Sequence, residues 1–100
     1  MRVVITHGGV ETVFVPTSSR VTIGRRAGND IAIADSTLGR EHCILRISPT
    51  RVTIEDATSP CGTYVDGFLS SGETAIDESS VVTMGNTRLR VERVTCLRGR

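Results

Sequence analysis

Short stretches in which apolar and polar residues alternate, each closed by a cluster of Gly, Pro, Asn, Asp or Ser, run through almost the whole chain. Period-two alternation puts every second side chain on one face of a strand, whereas an amphipathic helix needs apolar residues at i, i+3, i+4 and i+7. No stretch sustains that helical stripe, so the chain is expected to be all-β. Strands are expected at 2–6 and 11–15, as antiparallel neighbours around a glycine turn, His7-Gly8-Gly9-Val10. Further strands at 21–23 and 31–33 bracket a loop from Gly24 to Asp30 that is rich in Arg, Gly, Asn and Asp. Residues 42–48 and 51–55 alternate across a Pro49-Thr50 turn, with Cys43, Leu45 and Ile47 on one face of the first and Val52 and Ile54 on one face of the second. Tyr64 and Val65 lead into Asp66-Gly67, which suits a type I′ turn because both central residues then take positive φ. A last hairpin is expected from 81–84 and 87–94 around Gly85-Asn86. Strands so evenly spaced point to a sandwich or barrel.

At 100 residues the chain is long enough for one two-layer core and too short for a substrate domain beside a cofactor domain. One domain is expected over residues 1–96, followed by a basic tail at 97–100. Twelve basic and eleven acidic residues leave a net charge of +1, which gives no overall attraction to nucleic acid or anionic lipid. Three aromatic residues, Phe14, Tyr64 and Phe68, cannot make a stacking platform for single strands, so no nucleic-acid partner is expected. Three scattered cysteines without a C-x-x-C pair, no apolar run of membrane-spanning length and no signal-peptide core point to a cytoplasmic setting, with no membrane insertion in this segment. No metal site is expected, because His7, His42 and the cysteines lack ligand spacing, and no cofactor either. The glycines of 24–29 lack the G-K-[ST] ending and following helix of a nucleotide loop. In the last strand Arg88, Arg90 and Arg93 alternate with apolar residues as on a solvated sheet face.

Three loop motifs carry what chemistry the chain offers: IGRRAGNDI at 23–31, LGREH at 38–42 and SPCGTYVDG at 59–67. An Arg directly after a strand-ending Gly can hold its guanidinium fork toward a phosphate in charge-assisted, bidentate bonds, and Arg25 has that position. The plainer reading is that Arg25 and Arg26 solvate their loop and pair with Asp30 or Asp35. Cys61 lies in a loop that Arg25, Arg40 and His42 could approach, and positive neighbours lower a thiol pKa. No accompanying base, orienter and oxyanion donors are visible, so a surface cysteine is favoured over a nucleophile and the chain is not expected to be an enzyme. Cys43, on the apolar face of its strand, reads as a small core residue.

Order and spacing of these motifs resemble the forkhead-associated (FHA) domain, whose pattern runs G-R, N-D-I, S-R-x-H, then S-x-N-G-T-x-V-N-G, and the likeness spans roughly residues 2–94. That resemblance implies a β-sandwich of two twisted antiparallel sheets with recognition loops at one apex, a non-catalytic module that binds phosphothreonine segments of a protein partner. It implies Arg25 as a main phosphate ligand and Arg40 as a second cation. His42, with Gly24, Gly62, Thr63 and Gly67, would support the loops. Three ligand positions depart from the pattern: Gly39 replaces a phosphate-binding Ser, Pro60 replaces a polar residue, and Cys61 replaces the Asn that clamps the peptide main chain. Gly39 retains only a backbone N–H, a thiol is a weak substitute for an amide, and Pro60 lacks an N–H. Ser36 or Thr37 could stand in for the lost hydroxyl. Loss of one charged and one neutral hydrogen bond would weaken binding by about 2–4.5 kcal/mol, roughly 30- to 2,000-fold. Related domains with eroded ligand positions serve as assembly elements in the cytosolic parts of bacterial secretion-system membrane proteins, which is the alternative reading.

Overall fold

The computed structural model describes residues 1–57 and 59–93, so the expected tail at 97–100, Cys96 and the last residues of the 1–96 domain lie outside the described residues. Eleven strands form two sheets among them. They are β1 (Arg2–His7), β2 (Val10–Phe14), β3 (Arg20–Gly24), β4 (Ile31–Ala32), β5 (Cys43–Ile47), β6 (Val52–Asp56), β7 (Tyr64–Val65), β8 (Phe68–Leu69), β9 (Glu73–Ile76), β10 (Val82–Met84) and β11 (Thr87–Glu92). One sheet has the order β2-β1-β11-β10-β7-β8 and the other β4-β3-β5-β6-β9. The expected sandwich is therefore present, with one difference at an edge: β4 runs parallel to β3, pairing Ile31 with Ile23. The chain between them doubles back on itself instead of turning as a hairpin, which leaves the 24–30 loop standing at the end of the sheet.

Alternation does what the sequence requires. Val3 and Ile5 of β1, Val82 and Met84 of β10, and Leu89 and Val91 of β11 face Val21, Ile23, Cys43, Leu45, Val52, Ile54 and Ile76 of the other sheet in one core. Full burial of each aliphatic side chain contributes about 1.5–3 kcal/mol, which is the main force closing the two layers. Cys43 belongs to this core: its Sγ lies 3.8 Å from Met84 Sδ, and burial together with the Asp56 charge pushes its thiol pKa up, so it stays protonated.

Turn chemistry sets the register. Asp66 and Gly67 take φ of 51° and 86°, as a type I′ turn demands. Gly85 alone has positive φ in the β10–β11 turn, the pattern of a type II′ turn with Gly first. Strand β9 was not expected, because Glu73-Thr74-Ala75-Ile76 buries only Ile76 and follows Ser and Gly. Its place in the sheet comes from pairing Ile76 with Val52 and Glu73 with Glu55.

Candidate functional site at the sandwich apex

Pairing of Ile23 with Cys43, Cys43 with Asp56 and His7 with Thr87 brings the ends of five strands to one end of the sandwich. Three loops meet there, and the first two are zipped together by their main chains. Arg25 N–H donates to Gly39 O at 2.9 Å and Arg26 N–H to Arg40 O at 3.1 Å. Gly24 makes this approach possible, since a Cβ there would overlap the Arg40 carbonyl oxygen and lie 2.9 Å from Asn29 Nδ2. Asn29 seals the junction by donating from Nδ2 to Arg26 O at 2.8 Å and to Arg40 O at 2.5 Å.

Arg25 turns back along the second loop and donates from Nε to Leu38 O at 3.3 Å. It makes no ion pair with Asp30 or Asp35, so that part of the plainer reading fails. Asp30 instead accepts from Thr22 N–H at 2.9 Å and from Thr22 Oγ1. Asp35 is enclosed by four donors: Thr37 N–H at 2.9 Å, Thr37 Oγ1 at 2.5 Å, Asn86 N–H at 3.0 Å and Thr87 Oγ1 at 2.8 Å. Burial alone would raise the Asp35 carboxyl, but the bonds from Thr37, Thr87 and Asn86 outweigh it and hold its pKa at about 2. Arg25, Arg26 and Arg40 have no carboxylate within 4 Å among the described residues, in contrast to Arg2, Arg46 and Arg90.

His42 is fully buried and ties the second loop to the third. Its Nδ1 accepts from Gly39 N–H at 3.0 Å, which assigns the ring proton to Nε2, and Nε2 donates to Gly62 O at 2.9 Å. One consequence was not legible in the sequence: the backbone N–H that Gly39 retains is already committed to His42. Nor do the other two departures offer a donor outward. Cys61 Sγ donates to Thr37 O at 3.3 Å, and Pro60 Cδ lies 3.1 Å from where a Cβ on Gly39 would stand. The proline ring thus occupies part of the space a serine at 39 would need. Thr37, a suggested stand-in for that serine, has its hydroxyl committed to Asp35.

Below the third loop, Asp56 accepts from Ser59 N–H at 2.9 Å, from Ser59 Oγ and from Thr63 Oγ1 at 2.7 Å. Burial would raise its pKa, but these bonds lower it on balance. Gly62 and Thr63 sit at the apex. Gly67 does not: it lies at the far end of β7, where Asp66 N–H bonds Val81 O, and it shapes the β7–β8 turn. Missed in the sequence were Asn29, Asp35 and Asp56 as organisers of the loops. The D-x-T spacing of Asp35 with Thr37 and the D-x-x-S spacing of Asp56 with Ser59 were the available signals.

The fold is shared with solved FHA domains. A Synechocystis sp. protein matches with a TM-score of 0.82 at 23% identity, over 94% of this chain and 98% of that one. The FHA domain of a Chlamydia trachomatis protein matches with a TM-score of 0.77 at 23% identity, over 94% and 100%. The FhaA FHA domain, solved with the intracellular domain of Rv3910, matches with a TM-score of 0.78 at 19% identity, over 88% and 97%. No curated protein sequence matches the chain. Residues 6–95 match the family described as the inner membrane component of T3SS, cytoplasmic domain. With its FHA-type sandwich and this match over most of its length, the chain belongs to that family of cytoplasmic domains.

Proposed function

We propose that this domain recognises phosphothreonine-containing segments of a protein partner through Arg25 and Arg40, with an affinity reduced by the changes at Gly39, Pro60 and Cys61. The observation that carries this reading is the state of Arg25. Its Nε is tethered to Leu38 O, while its terminal nitrogens face no carboxylate among the described residues. A guanidinium held by one edge and open at the other can receive a phosphate in the bidentate geometry that makes such bonds strong. Reduced affinity follows from the same loops: Gly39 N–H, Thr37 Oγ1 and the Cys61 thiol all have internal partners, so the attraction would fall to the arginines and the exposed Ser36 hydroxyl.

Those internal partners, with the family's place in a secretion assembly, also favour a second reading in which the domain joins its partner without phosphorylation. Titration calorimetry with a degenerate phosphothreonine peptide pool and its unphosphorylated twin separates the two. Phosphate-dependent heat that weakens at least about tenfold in Arg25→Ala supports the first reading. Absence of heat from both pools removes it and leaves the assembly reading.

A further inference from the structure

Of the seven large apolar side chains exposed among the described residues, four stand together on one face. Val3 and Ile5, Val82 and Met84, and Leu89 and Val91 point into the core. The pleat therefore turns their alternates, Val4, Thr6, Thr83, Arg88 and Arg90, to the outer side of the β2-β1-β11-β10-β7-β8 sheet. Val13 pairs with Val4, Tyr64 pairs with Thr83 and Leu69, and Val81 directly precedes Val82, which puts these four on that outer side. Leu69 is 61% exposed, Val13 50%, Val81 44% and Tyr64 38%. The outer face of the other sheet carries Arg20, Arg46, Glu55 and Glu73, and Arg46 pairs with both glutamates.

Order on the apolar face is specific. Arginines from β11 occupy its middle, Val13 lies to the β2 side, and Val81, Tyr64 and Leu69 lie to the β8 side. Between them Val4, Thr6, Val81, Arg88 and Arg90 line a depression of about 190 Å³, which suits one side chain. Arg90 is held by Glu11 at 3.4 Å and by Glu92. Arg88 is exposed and has no carboxylate within 4 Å among the described residues. Tyr and Arg are the residues that most often dominate binding hot spots.

This order selects among occupants. A bilayer takes apolar side chains in the middle of a contact and cations around it, the reverse of what is seen. An extended segment lying across the face would set its N–H and C=O groups against apolar side chains, whereas a helix bonds its own. Six strands about 4.8 Å apart place β2 and β8 about 24 Å from each other, the length of a helix of about 16 residues.

From these facts we infer that this face receives an amphipathic helix of a different protein, one whose apolar stripe is interrupted at its centre by a carboxylate. One end of the stripe covers Tyr64, Leu69 and Val81, the other covers Val13, and the central Asp or Glu meets Arg88. The acid sets specificity, because a helix without it would leave the Arg88 guanidinium covered and unpaired. None of the apex residues takes part, so the inference does not depend on the phosphothreonine reading.

The test is selection on the whole chain from a phage-displayed library of helical peptides about 16 residues long, with one stripe randomised. Selected sequences are expected to carry apolar residues at both ends of the stripe and Asp or Glu between them. As soluble peptides they should bind at least about tenfold more weakly to Arg88→Ala and roughly fivefold more weakly to Leu69→Ala. Both side chains are exposed, so thermal denaturation should find both variants folded. Exchanging the peptide's central acid for its amide should weaken binding to the unaltered chain and change nothing in Arg88→Ala. Arg25→Ala should bind as the unaltered chain does. A library that yields no binder overturns the inference, and so do binders that Arg88→Ala and Leu69→Ala leave untouched or that Arg25→Ala abolishes. Sedimentation of the chain alone and flotation with phosphatidylglycerol vesicles cover the other occupants. Self-association or vesicle binding that Arg88→Ala removes, without any selected peptide, would give the face to a second copy or to a bilayer and overturn the inference.

Discussion

Gly39, Pro60 and His42 act as one unit at the apex, and the consequence for binding is decided atom by atom. His42 Nδ1 takes the Gly39 N–H, and Pro60 Cδ stands 3.1 Å from the Cβ that a serine at 39 would add. Gly39→Ser alone is therefore expected to gain little, because the new side chain must displace the proline ring before its hydroxyl can face a phosphate. Gly39→Ser with Pro60→Ala should bind a phosphothreonine peptide about tenfold more tightly than either single variant, measured by calorimetry. Additive single effects would show that the two positions are independent. Arg25 could be picked out in the sequence from its place after Gly24. The commitment of Gly39 N–H, Thr37 Oγ1 and the Cys61 thiol could not, since each depends on a residue from another part of its loop or another loop.

The β10–β11 hairpin and the 35–38 turn belong to different sheets, and their meeting is specified by Gly85. A Cβ at 85 would overlap Thr37 Oγ1 and lie 3.0 Å from Thr37 Cβ, and the residue sits at φ +54°. Gly85→Ala should therefore cost on the order of 2 kcal/mol or more, from strain at that φ and from the displaced turn. Thr37→Ala in the same chain should recover part of that loss, read as a coupling in a thermal-denaturation cycle. A coupling near zero would mean that the backbone strain alone accounts for the cost. Hairpins themselves were readable from local sequence, because Asp66-Gly67 and Gly85-Asn86 satisfy turn requirements within four residues. Strand β9 was not, since its one buried residue, Ile76, gains its role only from Val52 across the sheet.

For the molecule as a whole, Asp35 links the loop after β4 to Asn86 of the β10–β11 turn and Thr87 at the start of β11, and so fastens one sheet to the other. Its pKa is lowered from 3.8 to about 2. A depressed carboxylate contributes stability that is present above its unfolded value and is lost as pH falls through its folded one. The contribution, about 2 kcal/mol, should therefore disappear between roughly pH 4 and pH 2. Asp56 is shifted in the same direction and adds to the acid sensitivity. Denaturant unfolding of Asp35→Asn should show lower stability at pH 7, with the gap to the unaltered chain narrowing below pH 4. A gap independent of pH would mean that Asp35 acts through shape and not through its charge.

Period-two alternation and turn residues determined by themselves that this chain is all-β, where most of its strands run and which faces of residues 42–48 and 51–55 are apolar, because those are local properties of a pleated chain. The three motifs likewise marked the loops that would stand together at the apex. Tertiary structure alone decided which of those loops' polar groups remain available. Hydrogen-bond partners such as His42 for Gly62, Thr37 for Cys61 and Asn86 for Asp35 are joined by folding across distances that sequence spacing does not encode. It also decided that Val13, Arg88 and Leu69 share the outer face of one sheet, since strand order, unlike strand position, is fixed by non-local pairing.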